Sequence, residues 1–459
     1  MKNKYRNYYL IIIIFACLFL TNLFTSNINA NDTSLGYYTT DGSFENSFFY
    51  FIIGVFYLLV CMYCYNKNYS AFLLLLILSP FSTLIVGYFS KGFVAFSLLP
   101  FILFLFLLVS GKGKLNVNID YCKKVSDLAL VYLLLLLSLF ITMITNEKNL
   151  QNAMIWCGYL LSSFALFICL LIVKKKKIDY KDILNGIFIC LVFLSCIIIF
   201  QIIILGILNN NLGALFLIKR SFSFPSMSNS NYTIVILIIL FMYLLINSAY
   251  LEKKQRYLLW IILLIDLTFA QSRGATISFF VIIFLYGINK GIKKIIQKKI
   301  KLSSVVLIGM GILICVSIIL FFFKNNVIEN LRLVQRFEAM FSGNDINVSS
   351  RSLMWKQYLD QYYNGDFKQM IFGFGVSNQV GLIRRPHNLY VLLVHQIGLV
   401  GLLIFVFCII NYMKKNPSMR YIILFILIDS CFEPLLFTVW VDSFLFTLSF
   451  IEYLKNKCY

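Results

Sequence analysis

Charged residues are scarce in this chain of 459 residues: Asp, Glu, Lys and Arg make up 13% of it, whereas apolar residues make up 60%. Mean hydropathy is +0.85. The core of a soluble protein cannot accommodate so large an apolar fraction, so the composition excludes a soluble globular protein. Because apolar runs recur along the whole length, we expect residues 1–459 to form a single integral membrane domain with no appended soluble domain.

Acidic residues are scarcer than basic ones, and the net charge is +21. A charge of this size is typical of nucleic-acid binding, but the lysines fall in short clusters between apolar runs, as the positive-inside rule requires. We therefore expect membrane lipids, and no nucleic acid, as partners. The sequence also lacks a P-loop and a glycine-rich nucleotide fingerprint, which excludes a cytoplasmic nucleotide or nucleotide-sugar site.

The apolar runs predict an all-α polytopic membrane protein with about 12–14 transmembrane helices of ~20 residues each. With the N-terminus inside, as Lys2, Lys4 and Arg6 indicate, the lysine-rich connections all fall on the cytoplasmic side. Residues 324–387 then form one long extracytoplasmic loop. That loop contains no cysteine, so no disulfide is expected in it.

The long loop has the pattern of amphipathic helices. Apolar residues recur at spacings of three and four over NNVIENLRLVQRFEAMFSG, and two serines precede a second helical stretch, SLMWKQYLDQYY. Such helices lie on the membrane surface or cover the end of the helix bundle.

Arg273 breaks the positive-inside pattern. The connections EKKQR and NKGIKK both look cytoplasmic, so residues 257–289 cross the membrane twice, as two helices of about 15 residues that each rise only ~22 Å. The turn QSRGA would then be sunk in the outer leaflet. An arginine deep in a membrane costs about 2.5–3.5 kcal/mol and is normally paired or functional. Asp266 is its candidate structural partner.

A guanidinium at headgroup depth suits a lipid-linked phosphate or diphosphate, because its paired donors match phosphate oxygens. Four further arginines outside the cytoplasm are candidate ligands for the same group: Arg220, Arg351, Arg384 and Arg385.

Histidine is the rarest titratable residue, and both copies lie in RRPHNLYVLLVHQIG, residues 384–398. His387 stands where the long loop enters a span, and the neighbouring arginine charges favour the neutral imidazole that a general base requires. Asn388 is placed to cap the following helix or to bind substrate. His395 lies ~12 Å deeper along that helix, so we expect an interior, hydrogen-bonded histidine there.

The stretch PHNLYVLLVHQIGLVG resembles the signature of the O-antigen ligase and polymerase family of polytopic membrane proteins. In that family Pro-His-Asn-x-Tyr ends the long outer loop and Gly-x-x-Gly follows. QSRGA, KRSFSFPSMSNSNY, SRSLMW and FGFGVSN are similar to other family segments, so the resemblance spans residues 215–410. One departure is Gln396, which stands where members often have an acidic residue.

The resemblance implies glycosyl transfer on the outer face of the bacterial cytoplasmic membrane. The donor would be an oligosaccharide on undecaprenyl diphosphate, and the reaction would invert the anomeric centre without a metal or cofactor. His387 would take the proton from the acceptor hydroxyl. Arg273 and Arg220, with Arg384 or Arg385, would hold the departing diphosphate.

Three functions remain open on the sequence. A polymerase would join lipid-linked repeat units into a capsular or O-antigen-type polysaccharide, with a chain-length regulator and a flippase as candidate partners. A ligase would move a finished chain to another acceptor. A flippase belongs to a different class, and four acids within apolar runs are compatible with it: Asp266, Asp429, Glu433 and Asp442. The lack of an internal repeat and the basic outer loop favour the polymerase over a transporter. The acids near the C-terminus would bind sugar hydroxyls or hydrogen-bond within the bundle.

Replacing Arg273 with Lys keeps the positive charge but removes the paired donors. We therefore expect glycan transfer by the reconstituted protein to fall about 10²–10³-fold. Transfer from a lipid-linked donor at the wild-type rate would show that Arg273 is a structural residue.

Overall fold

The computed structural model describes nine ranges of the chain and two short strand pairs. The ranges are 44–78, 99–110, 117–145, 150–173, 178–208, 230–270, 272–296, 346–375 and 386–458. In the strand pairs, β1 (Ser26–Asn27) is antiparallel to β2 (Thr39–Thr40), and β3 (Tyr88–Phe89) is antiparallel to β4 (Gly92–Phe93).

Within these ranges the chain is almost entirely helical. The helices are α1 (Phe44–Lys67), α2 (Tyr69–Leu78), α3 (Leu99–Ser110), α4 (Ile119–Thr145), α5 (Leu150–Ile172), α6 (Tyr180–Leu208), α7 (Ser230–Ile246), α8 (Lys253–Ala270), α9 (Arg273–Ile296), α10 (Ile346–Tyr363), α11 (Phe367–Phe372), α12 (Leu389–Lys415), α13 (Arg420–Asp429) and α14 (Val439–Cys458).

The predicted all-α membrane fold is confirmed. Among the described residues, α4, α6, α9 and α12 are long and apolar enough to cross a membrane. The apolar runs at residues 8–24 and 303–323, each of which also predicts a span, lie outside the described residues. The division of the chain into a single domain stays a prediction.

The centre of the bundle is formed by α7 and α14. Residues 234–244 of α7 and 441–454 of α14 are buried without a break. A helix that is apolar on all sides is typical of a large core or of a membrane span, and α7 fits this pattern. The outer helices α4 and α12 expose large apolar side chains such as Phe140 and Phe407, as helices facing lipid do.

Basic residues gather at one end of the bundle. There Asn416, after α12, donates to the carbonyl of Lys124 in α4 at 2.8 Å, and Lys455 of α14 donates to Oδ1 of Asn247, after α7, at 2.9 Å. We call this the lysine-rich end; the basic residues on the helix turns that meet there are Lys123, Lys124, Lys181, Lys253, Lys254, Arg256, Lys290, Lys414, Lys415, Arg420 and Lys455. The starts of α9 and α12 and the end of α13 lie at the opposite end.

The helices on either side of Arg273 are longer than the sequence predicted. They contain 18 and 24 residues, so they rise ~27 and ~36 Å. The prediction was short because Lys253, Lys254 and Lys290 were assigned to connections, whereas they lie within the terminal turns of α8 and α9. Helix length therefore gives no reason to sink the intervening turn in the outer leaflet.

Helices α10 and α11 pack against the start of α12. Tyr358 and Tyr362 on α10 are buried, and a capping box between Asp366 and Gln369 begins α11. The second helix predicted in the long loop thus covers the bundle end. The first, predicted over NNVIENLRLVQRFEAMFSG at residues 325–343, lies outside the described residues.

His395 is buried in this packing. Its Nε2 is 2.9 Å from Oε1 of Gln361, and its ring stacks on Phe374 with centroids 4.8 Å apart. These contacts match the interior, hydrogen-bonded histidine that the sequence predicted.

A break in α12 joins it to the segment after α11. Gly398 has φ +65°, which interrupts the helix, and the amides of Phe374 and Gly375 donate to the carbonyls of His395 and Gln396 at 2.8 and 2.9 Å. A Cβ on Gly398 would overlap the carbonyl oxygen of Ile371. Glycine is required here both by the left-handed conformation and by the backbone contact.

Replacing Gly398 with Ala should lower the free energy of unfolding by at least about 2 kcal/mol, because strain and overlap add. Thermal unfolding in detergent measures the loss. Gly291→Ala on α9 is the matched control, since its Cβ meets nothing within 4 Å. Equal melting temperatures for the two variants would contradict this account of the break.

Candidate active site

The turn between α13 and α14, residues 430–438, receives contacts from distant parts of the chain. The amide of Leu389 donates to the carbonyl of Ser430 at 2.9 Å, and Nδ2 of Asn388 donates to that of Cys431 at 3.2 Å. Nη1 of Arg351 donates to the carbonyl of Phe432 at 3.1 Å. Three successive carbonyls of this α13–α14 turn are thus bonded by α10 and by the start of α12.

A buried carboxylate holds the far side of the same turn. Asp442, in the first turn of α14, is fully buried; its Oδ1 accepts from the amide of Phe437 at 3.2 Å, and its Oδ2 accepts from Oγ of Ser163 at 2.9 Å. Phe437 has φ +66°, a conformation that costs a non-glycine residue about 1–3 kcal/mol. The hydrogen bond to Asp442 offsets part of that cost.

His387 faces Glu433 of this turn. Its Nδ1 is 3.2 Å from both carboxylate oxygens. The His387 side chain is 37% exposed, whereas that of Glu433 is only 7% exposed. A proton on Nδ1 satisfies the carboxylate and leaves the lone pair on Nε2, the tautomer that accepts a proton from a substrate.

The backbone around His387 is strained and tightly anchored. His387 has φ +47°. On one side the carbonyl of Pro386 accepts a hydrogen bond from Nε1 of Trp355, and on the other Oδ1 of Asn388 accepts from the amides of Tyr390 and Val391 at 2.9 and 3.1 Å. Asn388 is therefore the N-cap of α12, as predicted, and also a tether to the α13–α14 turn.

Arg351 approaches Glu433 from α10. Its Nη2 lies 3.6 Å from Oε2 of Glu433, and its side chain is 30% exposed. Because Nδ1 of His387 contacts the same carboxylate, Glu433 stands between an imidazole and a guanidinium. Sequence position gives no hint of this arrangement, since the three residues come from three separate elements.

Arg273 lies beside the same turn. It is the first residue of α9, and an ideal Cβ on the following Gly274 would lie 2.8 Å from Oδ1 of Asp429 and 2.8 Å from Cβ of Phe432. The backbone at Arg273 is thus packed against the residues that directly precede Glu433. Asp266, the candidate partner from the sequence, accepts a hydrogen bond from Oγ of Ser195 on α6 at 2.7 Å.

The structure brings four of the predicted site residues to one end of the bundle: Arg273, Arg351, His387 and Asn388. The other three, Arg220, Arg384 and Arg385, lie outside the described residues. Tyr232, which ends the segment that begins near Arg220, contacts the turn through its hydroxyl, 3.4 Å from the carbonyl of Pro434.

Glu433 is the site residue whose role the sequence did not assign. The sequence placed it among C-terminal acids with two open roles, and the expected carboxylate position near the histidine was occupied by Gln396. The structure supplies a carboxylate to His387 from 46 residues further along the chain. Gln396 is buried, and its carbonyl accepts from Gly375.

Residues 257–406 match the family model described as O-antigen ligase. This part of the chain is similar to the O-antigen ligase family. The match confirms the family predicted from the histidine motif, whose members are membrane enzymes of the ligase or polymerase type. Comparison with curated proteins and with solved structures returned no match. The matched region contains Arg273, Arg351 and His387 and ends before Glu433.

The contact between Gly274 and the α13–α14 turn gives a test of the site. Gly274→Ala should displace Asp429 and Phe432, and a shift of about 1 Å near reacting groups can cost about 10²-fold in rate. We expect glycan transfer to fall at least about 10-fold while membrane insertion is retained. Gly287→Ala on the same helix, whose Cβ meets nothing within 4 Å, is the control. A fully active Gly274→Ala variant would show that Arg273 is not part of this site.

Proposed function

We propose that this protein is a glycosyltransferase that uses a lipid-linked diphosphate sugar as donor and activates an acceptor hydroxyl with His387. The observation that supports this most strongly is the contact of His387 Nδ1 with the buried carboxylate of Glu433, beside Arg351 and the Arg273 turn. A base oriented by a carboxylate next to anion-binding groups is the arrangement that general-base transfer requires.

In this mechanism Nε2 of His387 takes the proton of the acceptor hydroxyl as its oxygen attacks the anomeric carbon. The bond between that carbon and the diphosphate oxygen breaks, and the diphosphate leaves with the electron pair. Glu433 holds the imidazole in the required tautomer and stabilises the imidazolium that forms. Direct attack on the face opposite the leaving group inverts the anomeric centre.

The arginines supply the other half of the chemistry. Arg273 and Arg351 would bind the diphosphate and stabilise the charge that develops on it as the bond breaks. Arg220, Arg384, Arg385 and the amide of Asn388 are proposed as further substrate contacts from the sequence. A donor of this class agrees with the family, and undecaprenyl diphosphate is the proposed lipid carrier.

The distribution of charge supports an outward-facing site in the bacterial cytoplasmic membrane. Basic residues mark the cytoplasmic side of multi-pass proteins. The lysine-rich end lies opposite the His387–Glu433 pair, so we place this pair on the extracytoplasmic side. A donor delivered across the membrane by a flippase would reach it there.

Our first choice of reaction is polymerisation of lipid-linked repeat units into a surface polysaccharide. Ligation of a finished chain to another acceptor is the second candidate, and the description of the matching family favours it. The two reactions share one donor and one base and differ only in the acceptor. A flippase is a weaker candidate, because a transporter has no need of a base and carboxylate pair at one end of the bundle.

His387→Ala should give a membrane-inserted protein that leaves the lipid-linked units unjoined, with a rate loss of about 10²–10⁴-fold. Purified lipid-linked repeat units are supplied to the reconstituted protein, and the products are separated by size. His395→Asn is the control, since it changes the other histidine of the chain at a buried position. Long polysaccharide from His387→Ala would remove the general-base assignment.

The same experiment on the wild-type protein distinguishes the three functions. A ladder of products identifies a polymerase, and a single transfer to a different acceptor identifies a ligase. Movement of the lipid across the bilayer without a new glycosidic bond identifies a flippase and would contradict the proposal.

A further inference from the structure

Glu433 is shared between a histidine and an arginine, and the two contacts differ in length. Nδ1 of His387 lies within hydrogen-bond distance, at 3.2 Å, of both of its oxygens. Nη2 of Arg351 is 3.6 Å from Oε2, which is close enough for an ion pair but too long for a hydrogen bond. The carboxylate is nearly buried, so a proton on Nδ1 of His387 and the guanidinium of Arg351 each lower the cost of its charge.

Arg351 is held loosely for a residue beside a buried carboxylate. A guanidinium has five N–H donors, and the bond to the carbonyl of Phe432 occupies one of them. Its side chain is 30% exposed, so the group can turn toward a ligand that enters from solvent. A diphosphate offers more charge and better paired geometry than a carboxylate at 3.6 Å.

We propose that Arg351 exchanges Glu433 for the diphosphate of the donor, so that donor binding leaves Glu433 to His387 alone. Before the donor binds, Arg351 forms an ion pair with the same carboxylate, and this weakens the attraction between Glu433 and the imidazole. After exchange, the full charge of Glu433 is available to stabilise the imidazolium. The base thus reaches full strength only when a donor is in place. This inference rests on the proposed function and adds the order of its steps.

Two further charged groups lie near the pair, one on α13 and one on α9. Asp429 ends α13 and lies one turn before Glu433, whose amide donates to its carbonyl at 3.0 Å. Arg273 begins α9, and the next residue, Gly274, packs against Asp429 and Phe432. Asp429 repels a phosphate and Arg273 attracts one, so the contribution of Arg351 must be isolated from theirs by a double-mutant cycle.

The test measures the affinity of farnesyl diphosphate for the full-length protein in nanodiscs. Four proteins are compared: wild type, Arg351→Gln, Glu433→Gln and the double variant. If exchange occurs, Glu433→Gln removes the ion pair that holds Arg351. The affinity for farnesyl diphosphate should then rise about 2–5-fold, which corresponds to the strength of a partly exposed ion pair. Arg351→Gln should lower the affinity for farnesyl diphosphate about 10-fold, because it removes a hydrogen bond to a charged group.

The double variant decides between exchange and simple repulsion. If Glu433 weakens binding only by holding Arg351, then Glu433→Gln has no effect once Arg351 is Gln. If the charge of Glu433 merely repels the diphosphate, the same tightening appears in both backgrounds, and the proposal is overturned. Unchanged or weaker binding in Glu433→Gln alone would also overturn it.

Lys356→Gln is the matched control, because Lys356 is an exposed cation on the same helix and loses the same charge. It should leave the effect of Glu433→Gln unchanged. Arg351→Lys and Glu433→Asp repeat the cycle with conservative changes if a Gln variant fails to fold. With these side chains the effects of the two substitutions on farnesyl diphosphate affinity should again be non-additive, but smaller. Strictly additive effects would contradict exchange.

A second measurement follows His387 itself. The chain contains two histidines, so ¹³C-labelled histidine gives two imidazole signals, and His395→Asn assigns them. At one fixed pH, farnesyl diphosphate should move the His387 signal of the wild type toward its position in ligand-free Arg351→Gln. A signal that responds equally in both proteins would count against exchange.

The outcomes separate this inference from the proposed function. If farnesyl diphosphate does not bind the wild type at all, the donor site itself is wrong. If it binds and the cycle is additive while product ladders still form, the function stands and only the exchange fails.

Discussion

The site depends on one constraint, which is that the buried carbonyls of the α13–α14 turn must find hydrogen-bond donors. A buried carbonyl without a partner costs about 1–3 kcal/mol. Ser430, Cys431 and Phe432 obtain their donors from the start of α12 and from α10. Satisfying these groups therefore also brings His387 and Arg351 close to Glu433. The requirement for backbone pairing is strictest where water is excluded, so a turn enclosed by helices is well suited to position a site.

Much of the fold follows from local sequence, because a run of ~20 apolar residues can only be a helix where water is absent. The histidine and arginine motifs could also be recognised in the sequence, since their residues lie close together in short stretches. The lengths of α8 and α9 could not be predicted, because the charged residues that were expected to end these helices lie within them. The contact between His387 and Glu433 could not be predicted either, since it depends on tertiary packing between residues that are 46 positions apart.

The family resemblance implied an acidic residue at the position of Gln396, and the structure shows what this glutamine contacts. Gln396 lies beside the break at Gly398, where its carbonyl bonds to the segment after α11. The imidazole of His387 meets its carboxylate on the opposite side, at the α13–α14 turn. The strain at His387, with φ +47°, persists because bonds on either side of it fix the backbone. Strain of this kind, held by its surroundings, is common where a side chain must be aimed at a substrate.

The most direct measurement is a cryo-electron microscopy structure of the full-length protein in a nanodisc with farnesyl diphosphate bound. The account predicts density for the diphosphate at the end of the bundle opposite the lysine-rich end, in contact with the guanidinium groups of Arg273 and Arg351. Nε2 of His387 should face the ligand while Nδ1 contacts Glu433. Density at the lysine-rich end, or an imidazole turned away from Glu433, would contradict the account.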